Sequence, residues 1–261
     1  MPALSSVRQI QGNLVDLTAL TVRDLLALLR TAQGRDAQFI RDLLVEAYPE
    51  IVGQYANAAG LLTADWYESL PGDPTFRAAA APVLPERLEG TARWAAGAIF
   101  TDGKVEEIVA GSAKRHVFNA SRETVIDNVE REGAIWVRHA SANACPFCRM
   151  LATRGAVYSS KSAATTVSGE SYSGKDYAKA HRMRTDVRAA TAGNRSGRKS
   201  QKQADGSRYH DNCRCMAVPI RSGDSYSPPD YVADWVQQYE QARKDGGSST
   251  ASILAAWQEQ L

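Results

Sequence analysis

The chain has 261 residues, 44% hydrophobic and 23% charged, which is ordinary globular usage and excludes wholesale disorder. No run approaches the roughly 18 apolar residues of a membrane span, and the opening MPALSSVRQIQGNL lacks the basic-then-apolar layout of a secretory signal. The net charge of +2 singles out no partner, but it is a cancellation. Residues 1–130 carry 12 basic and 17 acidic side chains, a net of −5, and residues 131–261 carry 19 and 12, a net of +7.

The first half reads as helix. From Val15 to Arg30 the apolar residues recur mostly every three or four positions, as one buried helical face requires, and Gly34 follows as a stop. The pattern resumes over Phe39–Ala47 up to Pro49. A third segment, Ile51 to Leu70, is closed by Pro71-Gly72. Three further helices are expected at Arg87–Phe100, Val105–Phe118 and Glu123–Glu132, with Thr101 or Asp102 capping the second of these and Asn119 or Ser121 the third. Residues 1–133 thus read as an antiparallel helical assembly with its own small core. The pair Trp66-Tyr67 falls inside one of these helices, where aromatics at helical spacing are expected to pack on the core rather than face a partner.

After Gly133 the pattern changes. Ala134–Ala140 alternates with period two, a strand signal. A short helix over Arg149–Thr153 and strands at Ala156–Tyr158 and Met216–Ile220 follow. Residues 159–208, rich in Ser, Thr, Gly, Lys and Arg, form a polar insertion. Arg221–Ser227 reads as a linker. Pro228-Pro229 then precedes an amphipathic helix with Val232, Trp235, Val236 and Tyr239, ended by Gly246-Gly247, and a last helix covers Ser249–Gln260. The expected fold class is α+β, mostly α. A helical region (1–133) precedes a small α+β Cys/His unit (134–221, insertion 159–208) and C-terminal helices (222–261).

All four cysteines lie in that second half. Cys145-Pro-Phe-Cys148 has the two-residue gap that lets one backbone turn aim two thiolates at one ion. His210-Asp-Asn-Cys213-Arg-Cys215 adds an imidazole and two more sulfurs. Thiolates with imidazole suit Zn²⁺, and four protein ligands make a structural site. Cys145, Cys148 and His210 are expected to supply three ligands and Cys213 or Cys215 the fourth, because a four-ligand site cannot take both with those three. The alternatives are two disulfides, a redox CxxC and unliganded buried thiols. His139 is expected in the core, and His116 and His181 as surface or packing residues.

Residues 175–208 hold ten basic and three acidic residues, a net of +7 that matches the surplus of the whole second half. Lys179, Arg182, Arg184, Arg188, Arg195, Arg198, Lys199 and Lys202 are candidates for sequence-independent contact with a phosphate backbone, the alternative being a solvated loop. Few aromatics are interleaved, so base stacking is not indicated.

An N-terminal helical region, then CPFCRMLATRGAVY, an insertion and YHDNCRCMAVPI resemble the phage Mu F-like minor head (head morphogenesis) proteins, closest to those of actinobacterial tailed phages. The specific motifs span roughly residues 120–221, with Cys145, Cys148, His210, Cys213 and Cys215 at the matching positions. The resemblance implies a low-copy protein of the capsid interior, present in host cytoplasm during assembly. It also implies association with the portal, with major capsid or scaffolding protein and with packaged double-stranded DNA, and no membrane partner. Similar actinophage proteins are often labelled capsid maturation proteases. No GxSxG elbow is present, and a Cys145/His210/Asp211 protease would leave the other cysteines unexplained, so a non-enzymatic role ranks first and proteolysis second.

Overall fold

A computed structural model describes residues 4–101, 104–153, 213–221, 224, 227–247 and 250–260. Helix α1 spans Leu4–Thr31 and buries Val7, Ile10, Leu14, Thr18, Thr21 and Leu25, a stripe at intervals of three and four. It begins well before Val15, where the sequence pattern starts. Helix α2 (Ala37–Ser69) is capped by Asp36, whose carboxylate accepts the Phe39 N–H at 2.9 Å. It runs straight through Pro49, so the expected second and third helices are one. An interior proline costs a helix about 3 kcal/mol. Here the flanking residues Tyr48 and Val52 are both fully buried, and Tyr48 Oη is bonded to Ser112 Oγ at 2.9 Å, so tertiary packing overrides the breaker.

Helix α3 (Pro85–Gly97) opens on a first-turn proline and passes into a single 3₁₀ turn, Ala98–Phe100. Helix α4 spans Val105–Glu132 without interruption, where two helices were expected. Thr101 does not cap it: Lys104 precedes it, and the Thr101 hydroxyl turns back to the Ala98 carbonyl at 3.4 Å, while Asp102 lies outside the described residues. Asn119 and Ser121 do not start a helix: Ser121 is engaged by a distant segment, and Asn119 bonds three residues along within α4. Ser121 Oγ accepts from Thr63 Oγ1 at 2.8 Å, and Asn119 Oδ1 accepts from Arg122 Nη1 at 2.8 Å. Further along, Thr124 Oγ1 accepts the Ala81 N–H at 3.0 Å. Asn128 bonds both the N–H and the C=O of Ala79, at 2.9 and 2.8 Å. These polar residues hold the extended Ala78–Pro82 segment against α4, and Gly60 leaves it room, since a Cβ there would sit 3.3 Å from Ala80 Cβ. Gly133, at φ +70°, ends α4 in the left-handed conformation that glycine favours.

Strand β1 (Ile135–His139) pairs antiparallel with β2 (Met216–Ile220), with Ile135 opposite Ile220 and His139 opposite Met216. Both faces of this ribbon are buried, although β1 alternates like a half-exposed strand. Helix α5 (Pro146–Ala152) lies between the strands in sequence, and α6 (Tyr231–Gly246) and α7 (Thr250–Gln258) follow them. The first half is therefore four long helices, and the described second half is a two-stranded ribbon with three helices, α+β and mostly α. The expected strand at Ala156–Tyr158 and the insertion up to residue 208 lie outside the described residues. Among the described residues, no helix is long and apolar enough to cross a membrane.

Three apolar clusters hold these elements. One joins α1, α2 and α3 with α4, around Leu25, Leu44, Tyr48, Leu88 and Val109. A second joins α1, α2 and α4 to both strands, around Leu14, Tyr67, Phe118, Trp136 and Val218, so this core runs across the 133/134 junction. Trp66 and Tyr67 are both buried in it, as expected, with Trp66 Nε1 donating to Ser6 Oγ at 2.8 Å. Tyr67 Oη donates to Glu132 Oε2 at 2.5 Å, and Glu132 Oε1 accepts from Arg221 Nε at 2.8 Å. Arg221, directly after β2, also donates to the Leu70 and Pro71 carbonyls, which ties the sheet to the end of α2. The third cluster gathers α5, α6 and α7 around the cysteines.

Two histidines, half-buried His116 and buried His139, give stability a pH dependence. His116 contacts Thr91 Oγ1 through Nε2 at 2.9 Å, and burial, with Arg115 and Arg87 nearby, lowers its pKa to about 4. His139 is buried in β1, where the sequence reading put it in the core. Its Nδ1 has no hydrogen-bond partner among the described residues, and burial, with Arg8 nearby, lowers its pKa to about 4. An unfolded histidine titrates near 6.5. Their contribution is thus complete above that pH, and it is lost as pH falls toward 4 because the unfolded chain takes up protons first. The expected loss is up to roughly 3 kcal/mol per histidine. Urea unfolding at pH 7.5 and 5 measures it, and His116→Gln should flatten part of the difference. Equal stability at the two pH values would contradict it.

Candidate metal centre

Two short stretches meet at the cysteine site. Cys145 is the residue that opens α5, with extended backbone at φ −66° and ψ 159°, and Pro146 occupies the first helical position. The two-residue gap then places Cys148 in the first turn of the same helix. Helix α5 is anchored by buried Met150, Leu151 and Ala152, and Arg149 Nε donates to the Ala144 carbonyl at 2.7 Å. Cys213 and Cys215 lie just before β2, so the β1–β2 register fixes where their loop ends.

The sulfurs of Cys148, Cys213 and Cys215 all lie within 4.8 Å of one another, and Cys148 and Cys213 are 3.5 Å apart. All three residues are closed from solvent, with exposures of 1%, 3% and 2%, while Cys145 is half-buried. None of the four cysteines is joined in a disulfide in this structure. In a tetrahedral site with Zn–S bonds of about 2.3 Å, sulfurs stand roughly 3.8 Å apart. The triad therefore fits one metal ion, and zinc bound there would supply a redox-inert cross-link rather than a reactive water. The expected choice between Cys213 and Cys215 is not how the chain arranges them: both sulfurs join Cys148. A single intervening residue permits this because the segment is irregular there rather than a strand, in which neighbouring side chains point to opposite faces.

The electrostatics favour one thiolate, at Cys213, with the Cys215 thiol pushed up to about 12. Hydrogen bonds from Cys148 and then Cys215 hold the Cys213 thiol well below its usual range, and the Arg122 guanidinium adds to this. Cys148 is pushed up, by hydrogen bonds with Cys145, Cys213 and Cys215 and by burial, so the proton resides there. Arg122 is the residue that sequence reading missed. It projects from α4, is 1% exposed, and donates from Nε to the Cys215 carbonyl at 2.8 Å and from Nη2 to the Cys213 carbonyl at 2.7 Å. Arg138 of β1, also buried, acts electrostatically on Cys215. Gln11 of α1 donates to the Arg214 carbonyl at 2.7 Å, so the same loop is held from two helices of the first half.

The C-terminal helices close the site. Trp235, Tyr239 and Trp257 are buried in the cysteine cluster, with the rings of Tyr239 and Trp257 5.9 Å apart. Arg149 stacks over Trp235 at 5.4 Å, and Tyr231 Oη donates to the Ala140 carbonyl at 2.8 Å. His139 is not among the clustered ligands. His210 and His181 lie outside the described residues, as do Asp211 and the basic candidates Lys179, Arg182, Arg184, Arg188, Arg195, Arg198, Lys199 and Lys202.

Fold and site together define a mostly helical protein whose second half is organised on a closed cysteine centre able to hold a metal. The model of the VG15 protein family matches residues 1–183 and 188–242, and the chain belongs to that family, one of phage gene products. No curated protein and no solved structure matches it.

Proposed function

We propose that this phage protein is a minor head protein. In this reading it is a low-copy, virion-associated component of the capsid interior near the portal vertex, with a structural role in head assembly and in DNA packaging or delivery. The helical half docks on portal, major capsid or scaffolding protein. The basic segment 175–208 faces packaged DNA through sequence-independent phosphate contacts. Zinc at the cysteines has a structural role.

The observation that carries this reading is the closure of the cysteine centre. Its three clustered sulfurs are buried under α5, α6 and α7, and Arg122 and Gln11 bind it to the helical half through backbone carbonyls. A nucleophilic cysteine needs an accessible thiolate and a place for substrate. A metal held by this centre would instead cross-link two distant segments of the chain. The membership in a phage family supports the setting.

The test is location and persistence. Purified particles are expected to contain the full-length chain at a few copies, and gold or nanobody labelling of opened heads should place it at the portal vertex. Specific cleavage of the major capsid protein by the purified chain, lost in Cys145→Ala, would establish the capsid maturation protease reading instead.

A further inference from the structure

We infer that Cys148 and Cys213 are a redox pair: a peroxide joins their sulfurs in a disulfide, and this bond takes over the cross-link that a metal makes at the same centre. The pairing stands on the sulfur geometry. The exchange with a metal rests on the metal-binding part of the reading above.

The two sulfurs are 3.5 Å apart although their residues are 65 positions apart in sequence. A disulfide bond is about 2.05 Å long, so the sulfurs have roughly 1.5 Å to travel. Both backbones are held while they do so. Cys148 sits in the first turn of α5, which buries Met150, Leu151 and Ala152. The Cys213 carbonyl accepts from Arg122 Nη2 at 2.7 Å, and the Arg214 carbonyl accepts from Gln11 Nε2 at 2.7 Å. The approach therefore falls to the two side chains, and the fold has already met the entropic cost of bringing them together. Both residues are nearly closed from solvent, at 1% and 3% exposure, in the cluster that holds Trp235, Tyr239 and Trp257. Hydrogen peroxide is small enough to reach such a site, whereas a bulky thiol reductant is not, so the bond persists once made.

The chemistry balances with hydrogen peroxide as the oxidant. One sulfur attacks a peroxide oxygen, the O–O bond breaks, and the thiol proton leaves with the departing hydroxide as water. The second sulfur attacks the sulfur of the resulting sulfenic acid. The S–S bond forms, the S–O bond breaks, and the second thiol proton leaves with that hydroxide as another water. Each sulfur gives up one electron and the peroxide takes both. The bond withdraws two thiolates from an ion at this centre and joins the same two segments that the ion would. In the virion setting proposed above, a chain assembled in a reducing cytoplasm and carried outside keeps its cross-link across that change.

Peptide mapping of the full-length wild-type protein without reductant, before and after hydrogen peroxide, tests the pairing. Trypsin separates His139–Arg149, which holds Cys145 and Cys148, from Tyr209–Arg214 and Cys215–Arg221. The first two peptides are expected to emerge as one disulfide-linked species, recovered as free thiols by dithiothreitol. Cys145→Ser is expected to keep that species, which assigns the bond to Cys148; its loss in this variant would assign the bond to Cys145 instead. A bond within His139–Arg149, a bond to Cys215–Arg221, or thiols that all survive excess peroxide would equally overturn the pairing. Zinc competition and hydrogen exchange read the exchange of cross-links. Oxidation is expected to weaken zinc binding by more than the about 100-fold that follows loss of an outer-shell partner. The oxidised protein is expected to keep its α6 and α7 amides protected in strong chelator, and loss of that protection despite the bond would overturn the cross-linking role. A reduced protein that takes up no zinc would remove the metal reading and the exchange, a failure that the peptide map keeps separate from a wrong pairing.

Discussion

Stripping the metal with a strong chelator, or replacing Cys148 with serine, is expected to unravel α5, α6 and α7 while leaving α1–α4 folded. The two halves of the molecule rest on different supports. Helices α1–α4 share one apolar cluster that contains nothing after Ala113, and they dominate a second that adds only the ribbon. The third cluster consists of fourteen buried residues drawn from short elements, three of them the cysteines themselves. Helix α5 has 7 residues and α7 has 9, too short to persist by helix propensity alone. Such a unit depends on its cross-link, and structural zinc supplies about 10–16 kcal/mol in comparably small domains. The readout is hydrogen exchange by segment. Amides of α6 and α7 should lose protection by several orders of magnitude while those of α2 and α4 keep theirs, and far-UV dichroism should fall only modestly. Uniform protection with and without chelator would show that apolar packing alone holds the unit.

That division was partly legible beforehand. The CxxC gap and the HxxCxC loop are local signals, and the chemistry of thiolates made them a metal hypothesis without any knowledge of the fold. Strand β2 was legible for the same local reason, as a short apolar run between a polar segment and a linker. The long helices were legible as helix but not as single elements. Pro49 and the Asn119–Ser121 stretch are local stop signals, and both are overruled by contacts far away in sequence, Tyr48 to Ser112 and Ser121 to Thr63. Helix α4 also hides its own burial. Arg122, Thr124 and Asn128 are enclosed because each finds backbone partners in other segments, so its buried surface does not read as an apolar stripe. Sequence periodicity assumes that the inside is apolar, and α4 violates that assumption where it meets the rest of the chain.

Arg122→Met is expected to destabilise the protein by about 3–5 kcal/mol, the range for breaking a buried charged contact from one side. Among the described residues the guanidinium donates charge-assisted hydrogen bonds to the carbonyls of Cys215 and Cys213 and to Asn119 Oδ1, and it lies over the Phe118 ring, 5.3 Å from its centroid. Methionine keeps much of the apolar volume. The loss therefore reports the bonds and the two carbonyls left without their donor, each such group costing about 1–3 kcal/mol. Arg122→Lys keeps the charge but not the planar fork that reaches two carbonyls 2 residues apart, so it should recover only part of the stability. The effect should extend to the metal, because Arg122 fixes the backbone that aims two of the sulfurs. Groups in that position typically change metal affinity by 10–100-fold. Stability and zinc affinity should fall together in Arg122→Met, and the stability difference between Arg122→Met and wild type should shrink once Cys213 is already serine, since interacting positions are not additive. A loss below about 1 kcal/mol with zinc affinity unchanged would mean that α4 and the cysteine loop are held together by the apolar core alone.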